Sequence, residues 1–400
     1  MESCANPLEG MTIAGIAPFE FTSAGRIVFG RGVAGQVAQS VAAFGRRAVV
    51  VVGRDLSRPR PFLDSLRMAG VDAETFSVPT EPTIDQVRRG TLLARQAGVE
   101  VVVGLGGGSA LDAAKAIAIL ATHDGDVLDY LEVIGAGKSF IAPGLPMVAV
   151  PTTAGTGSEV TRNAVLGSPE HRVKVSLRSP YMLPRLALVD PALSSDMSPA
   201  LTARTGCDAL TQLIEPFVSV RAGPMTDALC REGLRLASRS LRRAFQEGSD
   251  TESRDEMALA STLSGLALAN AGLGVVHGLA GPIGGMIAAP HGAICAALLP
   301  GAMEVNLRAL RARDPKSPAL PRYDEMGRWL TGRREADAVD GAGWTADLCR
   351  DLEIPRLSTF GLTESLLPVI IERAQVANST RTNPVTLLAE ELTEIVRRAM

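Results

Sequence analysis

Asp208, Gln212, His277 and His291 are the residues whose types and spacing could do chemistry. The two histidines, half of the four in the chain, lie in Met257–Met303, a stretch without a single Asp, Glu, Lys or Arg. Imidazole is costly to bury without a partner, so each histidine there needs something to face. Asp208 and Gln212 stand four residues apart, on one face of any helix, among Cys207, Ala209, Leu210, Leu213 and Ile214. A carboxylate in such surroundings wants a cation or several hydrogen bonds. Taken singly, each histidine is more often a satisfied core residue, and the Asp reads either as a structural one bonded to a neighbouring helix or as a metal ligand. Together they have the composition of a two-His-one-carboxylate metal site, although the sequence does not show that they converge. His123 and His171 lie in polar, loop-like contexts and are given no role.

The uncharged stretch could itself be a membrane span, but Gly272, Gly274, Gly278, Gly281, Pro282, Gly284, Gly285 and Pro290 interrupt every window long enough to cross a bilayer. We read it as interior. Helical periodicity surrounds it, running from Ser198-Pro199, an N-cap and N1 pair, through about 217, 224–247, 253–271, 276–288, 293–306, 320–331, 336–352, 362–376 and 385–399. Segment 306–320, basic and punctuated by proline, is expected as a surface connection. Before Pro191 the pattern is different. Short apolar runs at 25–30, 46–53, 72–78 and 185–190, with a strand, glycine turn and helix over 99–120 and a strand and glycine turn over 146–161, alternate with helical segments, which argues a mainly parallel sheet flanked by helices. The expected organisation is a loose extension over 1–21, an α/β nucleotide-binding domain over 22–194 and an all-helical metal and substrate domain over 195–400.

Two glycine-rich turns follow strands of the first part. Gly106, Gly107, Gly108 and Ser109 sit between a buried run and a helix, where backbone N–H groups could approach an anion. Ser109 and Asp112 also make an S-x-x-D capping pattern, which accounts for part of that signal. Thr152, Thr153, Gly155, Thr156, Gly157 and Ser158 form the second turn. Two such turns at one sheet edge suit a dinucleotide.

Four hundred residues make two domains the default, and a hydrophobic fraction of 46% allows a sizeable core. A net charge of −3, with mixed signs and 4% aromatic residues, gives no case for nucleic acid or an anionic membrane as partner. Five scattered cysteines without metal-type spacing suggest reduced thiols and a cytoplasmic protein.

The segments GLGGGSALDAAK (104–115), PTTAGTGSEVT (151–161), KVSLRSPYMLPRLALVDPAL (174–193), SPALTARTGCDALTQLIEP (198–216) and VVHGLAGPIGGMIAAPHGAICAALLP (275–300) resemble the iron-containing alcohol dehydrogenase family over roughly residues 22–306. The resemblance implies a dehydroquinate synthase-like architecture with the active site in the cleft between two domains. It implies that Gly106–Ser109 and Asp112 on one turn, and Thr152, Thr153, Thr156 and Ser158 on the other, line the cofactor, with Lys174 near the nicotinamide ribose. It also implies iron or zinc on Asp208, His277 and His291. Two positions depart from the family pattern. Gln212 stands where the second ligand is a histidine, and Gly281 stands where many members have a further histidine. A third departure follows strand 46–53: Gly53 and Arg54 occupy the place where NAD-specific members carry an acid, so NADP should be accepted as well as NAD.

The expected function is interconversion of a small alcohol with its aldehyde or ketone. Gln212 would be a weak fourth ligand or a partner for bound water, and a homodimer is the expected assembly. Without metal, a neutral His277 or His291 would have to serve as acid and base. The rival expectations are a metal-free reductase of an oxoacid, like the maleylacetate reductases, and a dehydroquinate synthase-like lyase.

Overall fold

In the computed structural model, residues 18–57, 59–171 and 173–400 are described, so most of the expected N-terminal extension lies outside them. The strands are β1 (Ile27–Phe29), β2 (Arg47–Val52), β3 (Asp72–Ser77), β4 (Val101–Gly106), β5 (Met147–Pro151), β6 (Asn163–Ser168), β7 (Val173–Arg178) and β8 (Leu186–Val189). Six of them form one parallel sheet in the order β1-β8-β5-β4-β2-β3. The helices of this part are α1 (Val37–Ala42), α2 (Arg60–Met68), α3 (Ile84–Gln96), α4 (Gly108–Leu120) and the short α5 (Val127–Tyr130).

The sheet is apolar on both faces, which is why its strands read as continuous runs. Val50 and Val52 of β2 pack with Val37, Val41 and Leu66 on one side. Val49 and Val51 pack with Leu111, Ala114 and Ile117 on the other. Each such buried valine contributes about 2 kcal/mol by removal from water. Thr83 caps α3 in a reciprocal box with Gln86. The β6–β7 hairpin, antiparallel from Asn163↔Arg178 to Ser168↔Val173, was not among the expected strands. Its alternation is visible in hindsight: Ala164, Leu166, Val175 and Leu177 are buried while Val165 is exposed.

Among the described residues no strand follows Val189. Ser198 caps α6 (Pro199–Val218) by accepting from Leu201 N–H. Then come α7 (Pro224–Gln246), α8 (Thr251–Ala271), α9 (Val275–Met286), α10 (His291–Arg313), α11 (Ala319–Thr331), α12 (Ala338–Asp351), α13 (Leu367–Val376) and α14 (Ala389–Ala399). One large apolar core unites them.

Part of the expected surface connection at 306–320 is helix instead, because α10 continues to Arg313. Leu307, Ala309 and Leu310 are buried there. Arg308 pairs with Glu394, and Arg313 with Glu391 at 2.7 Å. By length and composition α10 could cross a membrane, but most of it is buried inside the protein. The α8 and α9 axes meet at a 99° bend, with Gly272 at φ 74 between them. That corner brings the start of α9 back over α6.

Candidate active site

The first turns of α9 and α10 both end on Asp208, near the middle of α6. Asp208 is 2% exposed. Its Oδ1 makes no hydrogen bond and stands 3.4 Å from His277 Nε2 and 3.8 Å from His291 Nε2. An unsatisfied buried carboxylate oxygen is expensive, and here two imidazole nitrogens face it. Gly292 makes this approach possible. A side chain there would meet the Arg204 carbonyl oxygen at 2.2 Å, so only glycine lets α10 lie directly on α6.

Glu215 was missed by sequence reasoning, although it lies seven residues beyond Asp208 on the same helical face. Its Oε2 lies 2.6 Å from His277 Nδ1, and its Oε1 accepts the Val276 N–H at 2.7 Å. A carboxylate on Nδ1 fixes the ring so that Nε2 points into the site, toward Asp208. Both carboxylates of α6 therefore act on His277, one across the site and one behind it.

Cys295 was also missed. It follows His291 by four residues on α10, so the two share a face. Its Sγ lies 3.6 Å from His291 Nε2 and 3.8 Å from His277 Nε2. One donor atom each from Asp208, His277, His291 and Cys295 falls within 4.8 Å of all the others. The spacing from His291 was there to be used, but the other two partners come from different helices, α6 and α9. The expected fourth ligand, Gln212, is turned toward α8, where Ser264 Oγ donates to its Oε1 at 3.0 Å.

The cluster's charges hold one another in place. Burial works against the protonated imidazoles, yet the negative partners outweigh it, with Cys295 foremost: His277 is held well above its ordinary pKa and His291 is pushed up to about 9. Burial likewise opposes ionisation of Asp208 and Cys295, and the two histidines reverse it, keeping both below their usual values. The set thus brings a carboxylate, a sulfur and two imidazoles to one point, and a cation binding there would displace the protons that the imidazoles hold. It fits a divalent metal. His291 is 35% exposed and opens toward solvent, whereas His277 is 6% exposed. Beside them Gly281, four residues after His277, has open space where a side chain would project.

Apart from Lys174 in β7, the other expected site residues lie at or just beyond the C-terminal ends of β2, β4 and β5, which are neighbours in the sheet. Chain order reverses between β2 and β4, and in open parallel sheets the crevice outside such a switch point receives the ligand. Gly53 follows β2, and a side chain at Gly106 would come within 3.5 Å of the Gly53 nitrogen. Arg54 beside it is exposed. The two glycine-rich turns touch: Thr152 N–H donates to Gly106 O at 2.9 Å, and Thr153 and Thr156 pack on Gly107 and Gly108.

Several details differ from expectation. The N-cap of α4 is Gly107, with no side-chain cap, so Ser109 and Asp112 do not form a capping box. Asp112 instead ties the two turns together, accepting from Ser158 Oγ at 2.6 Å and Val165 N–H at 2.8 Å, with Lys115 Nζ at 3.0 Å. Gly157, at φ 60, presses its backbone on Gly265 of α8, so the second turn also docks the sheet on the helices. Lys174 pairs with Glu81, and its Nζ sits over Gly284 of α9. His123 is buried, contrary to its polar sequence context, because Tyr130 and Phe140 pack around it.

The comparisons agree with this arrangement. The family model for iron-containing alcohol dehydrogenases matches residues 24–191, and the model for the C-terminal part of that family matches 202–400. The chain is 37% identical over 363 residues to a 1,3-propanediol dehydrogenase of Klebsiella pneumoniae, covering 89% of this chain and 92% of that one. It is 40% identical over 292 residues to long-chain-alcohol dehydrogenase 1 of Geobacillus thermodenitrificans, covering 70% and 73%. A crystal structure of a 1,3-propanediol oxidoreductase superposes with a TM-score of 0.87 at 33% identity, over 96% of this chain and all of that one. The chain belongs to the iron-containing alcohol dehydrogenase family and is an oxidoreductase acting on CH–OH groups.

Proposed function

We propose that the protein interconverts a small alcohol and its aldehyde or ketone, with NAD or NADP as hydride carrier and a divalent metal held by Asp208, His277 and His291. The observation that carries the metal reading is the buried Asp208 Oδ1, without a hydrogen bond and flanked by two Nε2 atoms. When bound there, the metal would supply Lewis acidity, polarising the substrate oxygen. The chain's own residues do the rest. Glu215 orients His277, Gly292 seats His291 against Asp208, and the apolar walls of α9 keep the reacting carbon out of water.

The turns after β4 and β5 would hold the coenzyme, with the N-terminus of α4 toward its pyrophosphate. Gly53 and Arg54 in place of an acid support acceptance of NADP. The free thiols Cys207, Cys230, Cys295 and Cys349 suit a reducing compartment such as the cytoplasm. A metal-free oxoacid reductase would need a cation for the substrate carboxylate. Lys174, the lysine beside α9, already has Glu81 as partner.

The test is turnover of a panel of aldehydes and alcohols of increasing length with NADH/NAD and NADPH/NADP. We expect measurable kcat/KM for a small aldehyde with both coenzymes. A preference for NADH above about a hundredfold, roughly 2.7 kcal/mol, would contradict the NADP assignment. Activity confined to oxoacids would contradict the substrate class.

A further inference from the structure

We propose that the Cys295 thiolate is the fourth protein ligand of the metal, in place of Gln212, and that the resulting set of two imidazoles, a carboxylate and a thiolate favours zinc over iron. The inference rests on the metal site of the preceding reading and concerns which side chains complete it.

Geometry is the first support. Bond lengths of about 2.0–2.1 Å to nitrogen or oxygen and about 2.3 Å to sulfur, at tetrahedral angles, put ligand atoms about 3.3 Å (O to N) and about 3.6 Å (S to N) apart. The side chains stand at 3.4 and 3.8 Å for oxygen to nitrogen, and at 3.6 and 3.8 Å for sulfur to nitrogen. Each of these four edges needs to change by no more than a few tenths of an ångström to close on one ion, and the other two, carboxylate to sulfur and imidazole to imidazole, lie within 4.8 Å. No such convergence is needed for packing alone, since a fully buried cysteine is satisfied by apolar neighbours.

The second support is Asp208 Oδ1, nine-tenths and more buried, aimed at the same point and left without a hydrogen bond. The third is the state of the rival. Gln212 is buried on α6, but its amide is bonded to Ser264 of α8. A neutral amide oxygen is also a poorer ligand for a late transition metal than a thiolate. Where one imidazole position has become an amide, a sulfur from the next helix over offers the missing donor. Metal bonds to sulfur and to the two ring nitrogens form at the expense of the protons shared among Cys295, His277 and His291, which leave to solvent. Thiolate shifts selectivity toward zinc and other softer ions and away from sites preferred by harder ones.

The test uses cobalt(II) as a spectroscopic probe, titrated into full-length protein stripped by a chelator. Wild type should take up one equivalent and show a near-ultraviolet thiolate-to-cobalt charge-transfer band that grows with occupancy. In Cys295→Ser that band should vanish while the visible ligand-field bands persist, and zinc affinity should fall by more than about tenfold, the loss typical of even an outer-sphere partner. Gln212→Ala should keep the band. Cobalt bound by wild type without the charge-transfer band overturns this inference and leaves the metal reading standing, as does an unchanged band in Cys295→Ser. No cobalt uptake by wild type overturns both. If Cys295→Ser does not fold, the wild-type spectrum decides alone.

Discussion

We read the donor cluster between α6, α9 and α10 and the glycine edge of the sheet as two ligand sites, made in opposite ways. The cluster is made of side chains, and its need shows as an unsatisfied atom: Asp208 Oδ1 has no hydrogen bond. The edge is made of backbone, and its polar side chains are largely engaged, Asp112 with Ser158 and Val165. Its glycines serve packing as well, Gly157 against Gly265 and Gly108 against Thr156. A site that must hold a small, highly charged ion shows itself by what it leaves unpaired. A site for a large, flexible coenzyme shows itself by topology and by room for backbone approach.

If that contrast is right, damage to one region should leave the other's ligand bound. The largest effect is expected for Asp208→Ala, which removes the one carboxylate facing both histidines. It should cost a factor on the order of a thousand in kcat/KM, about 4 kcal/mol, with coenzyme affinity within a few-fold of wild type by fluorescence titration. Joint loss of coenzyme binding would break the comparison.

Next comes Glu215→Gln. An amide can still bond Nδ1 but no longer favours a single tautomer, so metal affinity should fall about 10–100-fold in competition with a chromophoric chelator. An unchanged affinity would mean that His277 is positioned by packing alone. On the other side, Gly108→Ala places a methyl 2.7 Å from Thr156 Cγ2. Coenzyme KM should rise about tenfold, with about 1–3 kcal/mol lost in urea unfolding and metal content unaltered.

The smallest mutational effect is expected at Arg54. Its alanine variant should lose less than about tenfold in kcat/KM with NADPH, as befits one exposed charge, and nothing with NADH. A dependence on pH sharpens the contrast further. With His291 pushed up to about 9, protons occupy a ring nitrogen that the metal needs, so metal affinity should climb as pH rises toward that value. Taken without metal, the raised histidine stabilises the fold fully below its unfolded pKa of about 6.5 and loses that contribution as pH rises through about 9. Coenzyme affinity should show no matching trend in isothermal titrations across the same pH range.

How legible these regions were in the sequence follows from the same difference. The parallel sheet, the helical second part and the Ser198 cap could be read from periodicity and capping chemistry, which are local. Asp208, His277 and His291 could be singled out because charge and imidazole are conspicuous in an apolar stretch. Cys295 was passed over, because a cysteine among alanines looks like any small core residue, and its four-residue spacing from His291 gains meaning only once α6 and α9 are folded beside it. Glu215 was hidden by its apolar neighbours Ile214, Pro216 and Phe217, although its spacing from Asp208 was there to be used. The β6–β7 hairpin escaped because Asn163, Gly167, Lys174 and Ser176 dilute the apolar residues along its strands. The continuation of α10 past residue 306 escaped because arginines and the following proline resembled a loop, whereas partners on α14 neutralise them.

The most direct test of the account is to strip the protein of metal and restore it stepwise, following turnover of an aldehyde and binding of the coenzyme on the same samples. The account predicts that turnover rises in proportion to metal and saturates at one equivalent, while coenzyme affinity stays constant throughout. Full turnover in protein with no detectable metal would contradict it.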